Sequence, residues 1–252
     1  MKTALITGAS SGIGRDIARE LSKQGWRLLL VARRRDRLEA LAKELHTPCR
    51  IYICDLGKER HCHWLYECAK QQNVSLLVNS AGFGLYGSFA NTDLNRELNM
   101  IDVNIKAVHI LTKLFLRDFM AKNEGHILNV ASSAGFMAGP LLSTYYATKN
   151  YVVRLSEAIY EELREAGSAV TISCLCPGPV NTEFNQVAGA SFAPGAKSSK
   201  SVAKLAVKQT LAGKLHIIPG VSVKFGVIAS RFVPNKPLLR IVHGIQKRKG
   251  EK

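Results

Sequence analysis

At 252 residues, 46% hydrophobic and 21% charged, the chain can bury one full core and is unlike a disordered, collagen-like or coiled-coil polymer. No apolar run approaches the roughly 20 residues of a membrane span, and the opening MKTALITGAS reads straight into a strand and turn without the apolar segment of a secretory leader, so a cytoplasmic, reducing setting is expected. The formal charge of +16 is uneven: residues 197–252 hold 13 Lys or Arg and one acid, whereas the first 196 residues hold 22 basic and 18 acidic side chains.

TALIT (3–7) reads as a strand and runs into TGASSGIG (7–14), which opens the helical pattern GIGRDIARELSKQG. A tight turn, a glycine-bare approach and free helix N-terminal amides suit the pyrophosphate of a dinucleotide. The second strand, RLLLVA, ends in Arg33, Arg34 and Arg35 where an NAD enzyme would carry an acid. Guanidinium groups there suit the 2′-phosphate of NADP, so NADP(H) is favoured over NAD(H), with Ala32 and Arg33 nearest the phosphate. The alternative is that some of these arginines merely start the next helix, with Asp36 capping it or pairing with them. A helical run, RDRLEALAKELH, leads to the strand CRIYIC, then GKERHCHWLYECAKQQ to the strand SLLVN. The HCH triplet at 61–63 fits no zinc spacing, no metal is expected, and the six cysteines read as buried or ordinary thiols.

One long helical stretch, 95–122, precedes the strand HILNVAS. In the next helix Tyr145 and Lys149 lie four apart on one face, a pair in which an ammonium favours phenolate. Tyr146 has Asn150 four residues on and reads as packing or pocket wall. AVTISCLC and KLHIIP complete a set of about seven strands, apolar on both faces and separated by helices, which predicts a doubly wound, parallel α/β sheet in a single-domain Rossmann fold over residues 1–220. The Ala-, Gly- and Ser-rich stretch 181–200, interrupted by Pro194, reads as a substrate loop. Residues 221–252 form a basic, apolar C-terminal extension. It fits packing on the domain or on a second subunit, or weak peripheral association with an anionic membrane surface. It offers no aromatic platform or binding module for specific nucleic acid.

Five motifs, TGASSGIG, VNSAGFG, NVASSAG, YYATK and PGPVNT, follow one another in the order and at the separations of the short-chain dehydrogenase/reductase (SDR) family, which residues 1–185 resemble; Ser80 replaces the family's second asparagine. GASSGIG, VARR, NSAGFG and IIPG look most like its bacterial DltE-type branch. The resemblance implies an NADP-dependent oxidoreductase acting on a small-molecule carbonyl or alcohol, and a homo-oligomer, dimer or tetramer. It implies catalytic roles for Tyr145 (proton transfer), Lys149 (lowering the tyrosine's pKa and holding ribose), Ser132 (orienting the carbonyl) and Asn104 (a water relay), with Ser133 the competing serine. It also implies cofactor contacts from Gly8, Ser10, Ser11, Gly12, Ile13 and Gly14, from Arg33 and Arg34, and from Asp55 and Leu56 beside the adenine. Asn79, Ala81 and Gly82, then Pro177, Gly178, Val180 and Thr182 at the nicotinamide end, complete the set. A catalytically silent NADP sensor on this fold would be expected to lack the tyrosine or the lysine, and both are present. Phe83, Leu85, Tyr86, Phe89, Met137, Leu141, Phe184, Val187 and Phe192 are candidate walls of a hydrophobic substrate pocket.

Overall fold

Strands β1 (Thr3–Thr7), β2 (Arg27–Ala32), β3 (Cys49–Ile53), β4 (Val74–Asn79), β5 (His126–Val130), β6 (Thr171–Leu175) and β9 (His216–Ile217) pair in parallel as one seven-stranded sheet, ordered β3-β2-β1-β4-β5-β6-β9. The computed structural model describes residues 1–189 and 196–250. Each strand alternates its side chains between two cores. Leu5, Leu29 and Leu77 face one, packed on α3 (Glu59–Lys70), α5 (Ala107–Lys122) and α6 (Ser143–Glu165) through Leu65, Phe115 and Leu163. Ala4, Ile6, Leu28 and Leu30 face the other, packed on α1 (Gly12–Lys23), α2 (Arg35–Glu44) and α8 (Ser199–Leu211) through Ile17, Leu38 and Val207. Burial on both faces is the physical reason these strands read as continuous apolar runs, and each fully buried Leu or Ile contributes about 1.5–3 kcal/mol.

The strand order reverses between β1 and β4, which leaves a crevice beyond their C-terminal ends. A buried polar network braces that crevice from below. Asn79 Nδ2 donates to Thr112 Oγ1 (3.1 Å) and Asn129 Oδ1 (2.9 Å), and Asn129 Nδ2 donates to Ser156 Oγ (3.1 Å), so β4, β5, α5 and α6 are tied together.

Two expectations need revision. The stretch expected as one long helix is α4 (Leu94–Ile101), a π-helical turn (Asp102–Lys106) and then α5. The stretch expected as a loop over 181–200 contains the end of strand β7 (Val180–Asn181), helix α7 (Phe184–Ala188), strand β8 (Lys197–Ser198) and the start of α8. Lys197 N donates to Pro179 O, and the two short strands pair in parallel. Pro194 and Phe192 lie outside the described residues. The C-terminal segment folds as α9 (Val221–Ala229) and α10 (Asn235–Gly250), the latter burying Val242 and Gln246.

Candidate active site

A cleft of about 370 Å³ runs along the C-terminal ends of the strands. Its first end is built by the turn after β1. Gly8 has φ +67°, and a Cβ there would sit 2.8 Å from the backbone of Ser80 and Ala81; Gly12 has φ +55° and lies against the Thr182 methyl. Only a bare backbone fits this approach. Ser10, Ser11 and Ile13 complete the lining, and Ser11 precedes α1 without capping it through its side chain, so the amides of the first turn are available to an anion. A dinucleotide pyrophosphate therefore fits the glycine cradle.

Ala32, Arg33 and Arg34 line the cleft beyond β2, and Asp55 and Leu56 line it beyond β3. Arg33 is exposed. Arg34 is engaged: Nη2 donates to Ser10 Oγ (3.1 Å) and Nη1 to Glu183 Oε2 (2.9 Å), while Arg37 Nη1 donates to the other Glu183 oxygen. Hydrogen bonds from Arg37 and Arg34 hold the Glu183 carboxyl below its usual range. Glu183 was not singled out by the sequence; its signal is an acid placed next to Thr182 in the segment that faces the arginines.

At the other end, α6 carries Tyr145 and Lys149 side by side, with Nζ 5.8 Å from the phenol ring centroid and donating to Val130 O at 2.9 Å. Burial dominates the electrostatics here. It raises Tyr145 well above the ordinary phenol value, against a hydrogen bond with Ser132 that works the other way, and it pushes Lys149 down to about 8 despite nearby Cys174 and Cys176. The expected lowering of the tyrosine by the lysine is not found in this structure: the one influence that lowers the phenol is Ser132, and desolvation sets the direction. Ser132 also accepts from Ala134 N (3.2 Å) as the cap of the short turn Ser133–Phe136. Ser133 lines the same cleft, but Ser132 bonds the phenol. Ala81 and Gly82 after β4, and Pro177, Gly178, Val180 and Thr182 after β6, close the walls.

Three of the expected contacts do not reach the cleft surface. Gly14 packs within the turn, where a Cβ would meet Gly8 O at 2.6 Å. Asn79 is spent on the buried network beneath the crevice. Asn104, in the π-helical turn, is fully buried: its Oδ1 accepts from Phe83 N (3.1 Å), and its Nδ2 donates to Phe83 O (2.9 Å) and Thr148 Oγ1 (3.1 Å). Its side chain shapes the loop after β4 instead of facing solvent. A Cβ on Gly82 would lie 2.9 Å from Asn104 Oδ1 and 3.5 Å from Lys149 Nζ, so the three positions are close-packed.

Of the expected apolar walls, Phe83, Phe184 and Val187 line the cleft, joined by Leu142 and Tyr146. Leu85, Tyr86 and Met137 pack behind them, and Phe89 is 65% exposed. Leu141 adopts φ +66°, a left-handed conformation unusual for a bulky side chain. Tyr146 packs over Gly139 and its hydroxyl accepts from Gln246 Nε2 on α10, a contact no sequence motif announced. Among the described residues no group of three or more His, Cys, Asp or Glu could hold a metal, and no helix is long and apolar enough to cross a membrane.

Residues 2–191 match the family model described as short chain dehydrogenase. An uncharacterized oxidoreductase of Staphylococcus epidermidis is 32% identical over 187 residues, covering 73% of this chain and 80% of that protein. Among solved structures, a short-chain dehydrogenase from Sphingobium yanoikuyae in complex with NADPH superposes with a TM-score of 0.83 at 26% identity, covering 92% of this chain and 94% of that one. A short chain dehydrogenase/reductase from Burkholderia phymatum in complex with NAD gives 0.84 at 25% identity, covering 93% and 96%.

Proposed function

Because the chain belongs to the short-chain dehydrogenase family, we propose that it interconverts a carbonyl and an alcohol on a small to medium, hydrophobic substrate, using NADP(H) in preference to NAD(H). The observation that carries this reading is the convergence at one end of the cleft of a buried phenol, the Ser132 hydroxyl bonded to it and the Lys149 ammonium beside its ring. When bound, a nicotinamide nucleotide supplies the hydride for reduction or accepts it for oxidation. Gly8, Gly12 and the amides opening α1 would hold its pyrophosphate, and Arg33 and Arg34 its 2′-phosphate.

In the reductive direction Tyr145 Oη donates a proton to the carbonyl oxygen, and Ser132 Oγ donates a hydrogen bond to the same oxygen. Burial favours this role, since it keeps the phenol in its proton-donating form. Lys149 offsets the phenolate left behind by placing positive charge next to the ring. Phe83, Leu142, Tyr146 and Phe184 exclude water from the substrate end and select an apolar carbonyl.

The test is consumption of NADPH against NADH across a panel of ketones and aldehydes, with Tyr145→Phe as control. The variant keeps the ring and loses the transferable proton, so NADPH binding is retained while turnover drops by about 10²–10⁴ or more. Turnover close to wild type in that variant rejects the assignment.

A further inference from the structure

Helix α9 uses one side to hold the molecule and leaves the other bare. Val223 lies against Gly178, and Val227 is buried. On the outward side Val221, Phe225, Ile228 and Phe232 recur at spacings of four, three and four, which is one stripe of a helix. The turn continues past the helix end through Arg231 N to Ile228 O and Phe232 N to Ala229 O, so Phe232 extends the stripe. These four residues are 86%, 72%, 47% and 82% exposed. A contiguous outward row of two phenylalanines and two aliphatics is costly in water and marks a surface that something covers.

Charge identifies what covers it. Lys224, Arg231, Lys236 and Arg240 stand exposed along α9 and the start of α10, and the one acid among residues 197–252 is Glu251. A second copy docking face to face would bring two strongly cationic segments together, because a two-fold interface apposes the same patch. A nucleic acid would meet the cations and leave four apolar side chains unsatisfied. An anionic bilayer meets both demands: side chains enter the headgroup–acyl boundary while lysine and arginine pair with phosphate. We propose that the Val221–Phe232 face of α9 seats the protein on anionic membrane surfaces. The proposal is independent of the reaction in the cleft.

The full-length protein is pelleted with phosphatidylcholine vesicles with or without phosphatidylglycerol, at low and high salt. The expected result is binding to the phosphatidylglycerol vesicles at low salt, weakened by salt, and little binding to phosphatidylcholine alone. Phe225→Ser combined with Phe232→Ser lowers the bound fraction about tenfold or more without lowering the melting temperature, since neither ring is buried. If that pair misfolds, Lys224→Glu with Lys236→Glu tests the other half, and phosphatidylglycerol binding drops. Wild-type protein left in the supernatant with anionic vesicles at low salt overturns the proposal. So does wild-type pelleting by both variants, or a dimer in sedimentation equilibrium that the phenylalanine pair dissolves while vesicles go unbound, which assigns the stripe to a second copy.

Discussion

Arg34 has its guanidinium committed on both sides, to Ser10 in the glycine turn and to Glu183 beyond β6, whereas Arg33 stands exposed at the rim of the same cleft. The two arginines, adjacent in sequence, therefore play different parts. Among the described residues Arg33 has no ion pair to break on meeting a phosphate, and Arg34 also links the glycine turn to the segment after β6. A charge-assisted hydrogen bond contributes about 1.5–3 kcal/mol, so Arg33→Asp is expected to weaken NADPH relative to NADH by about tenfold or more. Glu183→Gln removes the anion shared by Arg34 and Arg37 and moves the ratio a few-fold the opposite way. Fluorescence titration with both nucleotides checks this; an unchanged ratio in both variants places the phosphate elsewhere. The arginine run was legible because it ends a strand at a known crevice. Glu183 was not, because its partners lie 149 and 146 residues away and only tertiary folding joins them. Gly14, Asn79 and Asn104 show the complementary limit: a motif marks which residues build a site without separating those that touch the ligand from those that brace it.

The central sheet strands stood out because burial on both faces leaves continuous aliphatic runs in the sequence, whereas the edge strand β3 is buried only at Tyr52; each expected run coincides with a strand to within a few residues. The two-residue strands β7 and β8, the π-helical turn around Asn104 and the docking of α10 left no such period. One inserted residue in a helix, or two ladder bonds, is too short to impose a pattern, and α10 chooses its buried side by the surface it meets. That surface includes the end of the cleft proposed to take the substrate: Gln246 Nε2 donates to Tyr146 Oη, and Gln246 O accepts from Tyr86 Oη at 3.3 Å. Gln246→Ala leaves a buried tyrosine hydroxyl without its donor, which costs about 1–3 kcal/mol and should lower the urea midpoint. Because Tyr146 lines the cleft while Tyr145 is the proposed proton donor, KM for the carbonyl rises with kcat nearly constant. A stable variant with unchanged KM removes α10 from the substrate site.

At the scale of the whole molecule, the same burial that shapes the site decides how the fold responds to alkali. Burial pushes the Cys54 thiol up to about 12 and Cys62 to about 11, while the Cys174 contact and then burial hold Cys176 well above its ordinary value near 9. Tyr66 and Tyr146 are pushed by burial to about 12, and Tyr145 lies higher still against an ordinary 10. The unfolded chain releases these protons from about pH 9 for thiols and about 10 for phenols, while the folded chain keeps them. The unfolded state then binds fewer protons, so stability declines with rising pH, by about 1.4 kcal/mol per pH unit for each proton of difference. Lys149 acts in the opposite sense: it is neutral in the fold above about 8 and charged when unfolded up to its ordinary 10.5, so it adds stability across that window. Burial also raises Cys49 and Tyr52, so this one lysine opposes four thiols and, further up, four phenols. The urea midpoint, measured under reducing conditions, should therefore change little between pH 8 and 9 and drop from pH 9 to 10.5. Removing two of the thiols with Cys54→Ala and Cys62→Ala should make that drop shallower, whatever the variant's stability at pH 8. A midpoint that holds or rises through this range would mean that these thiols and phenols titrate in the fold as they do in the unfolded chain, and that the core around them is open to water.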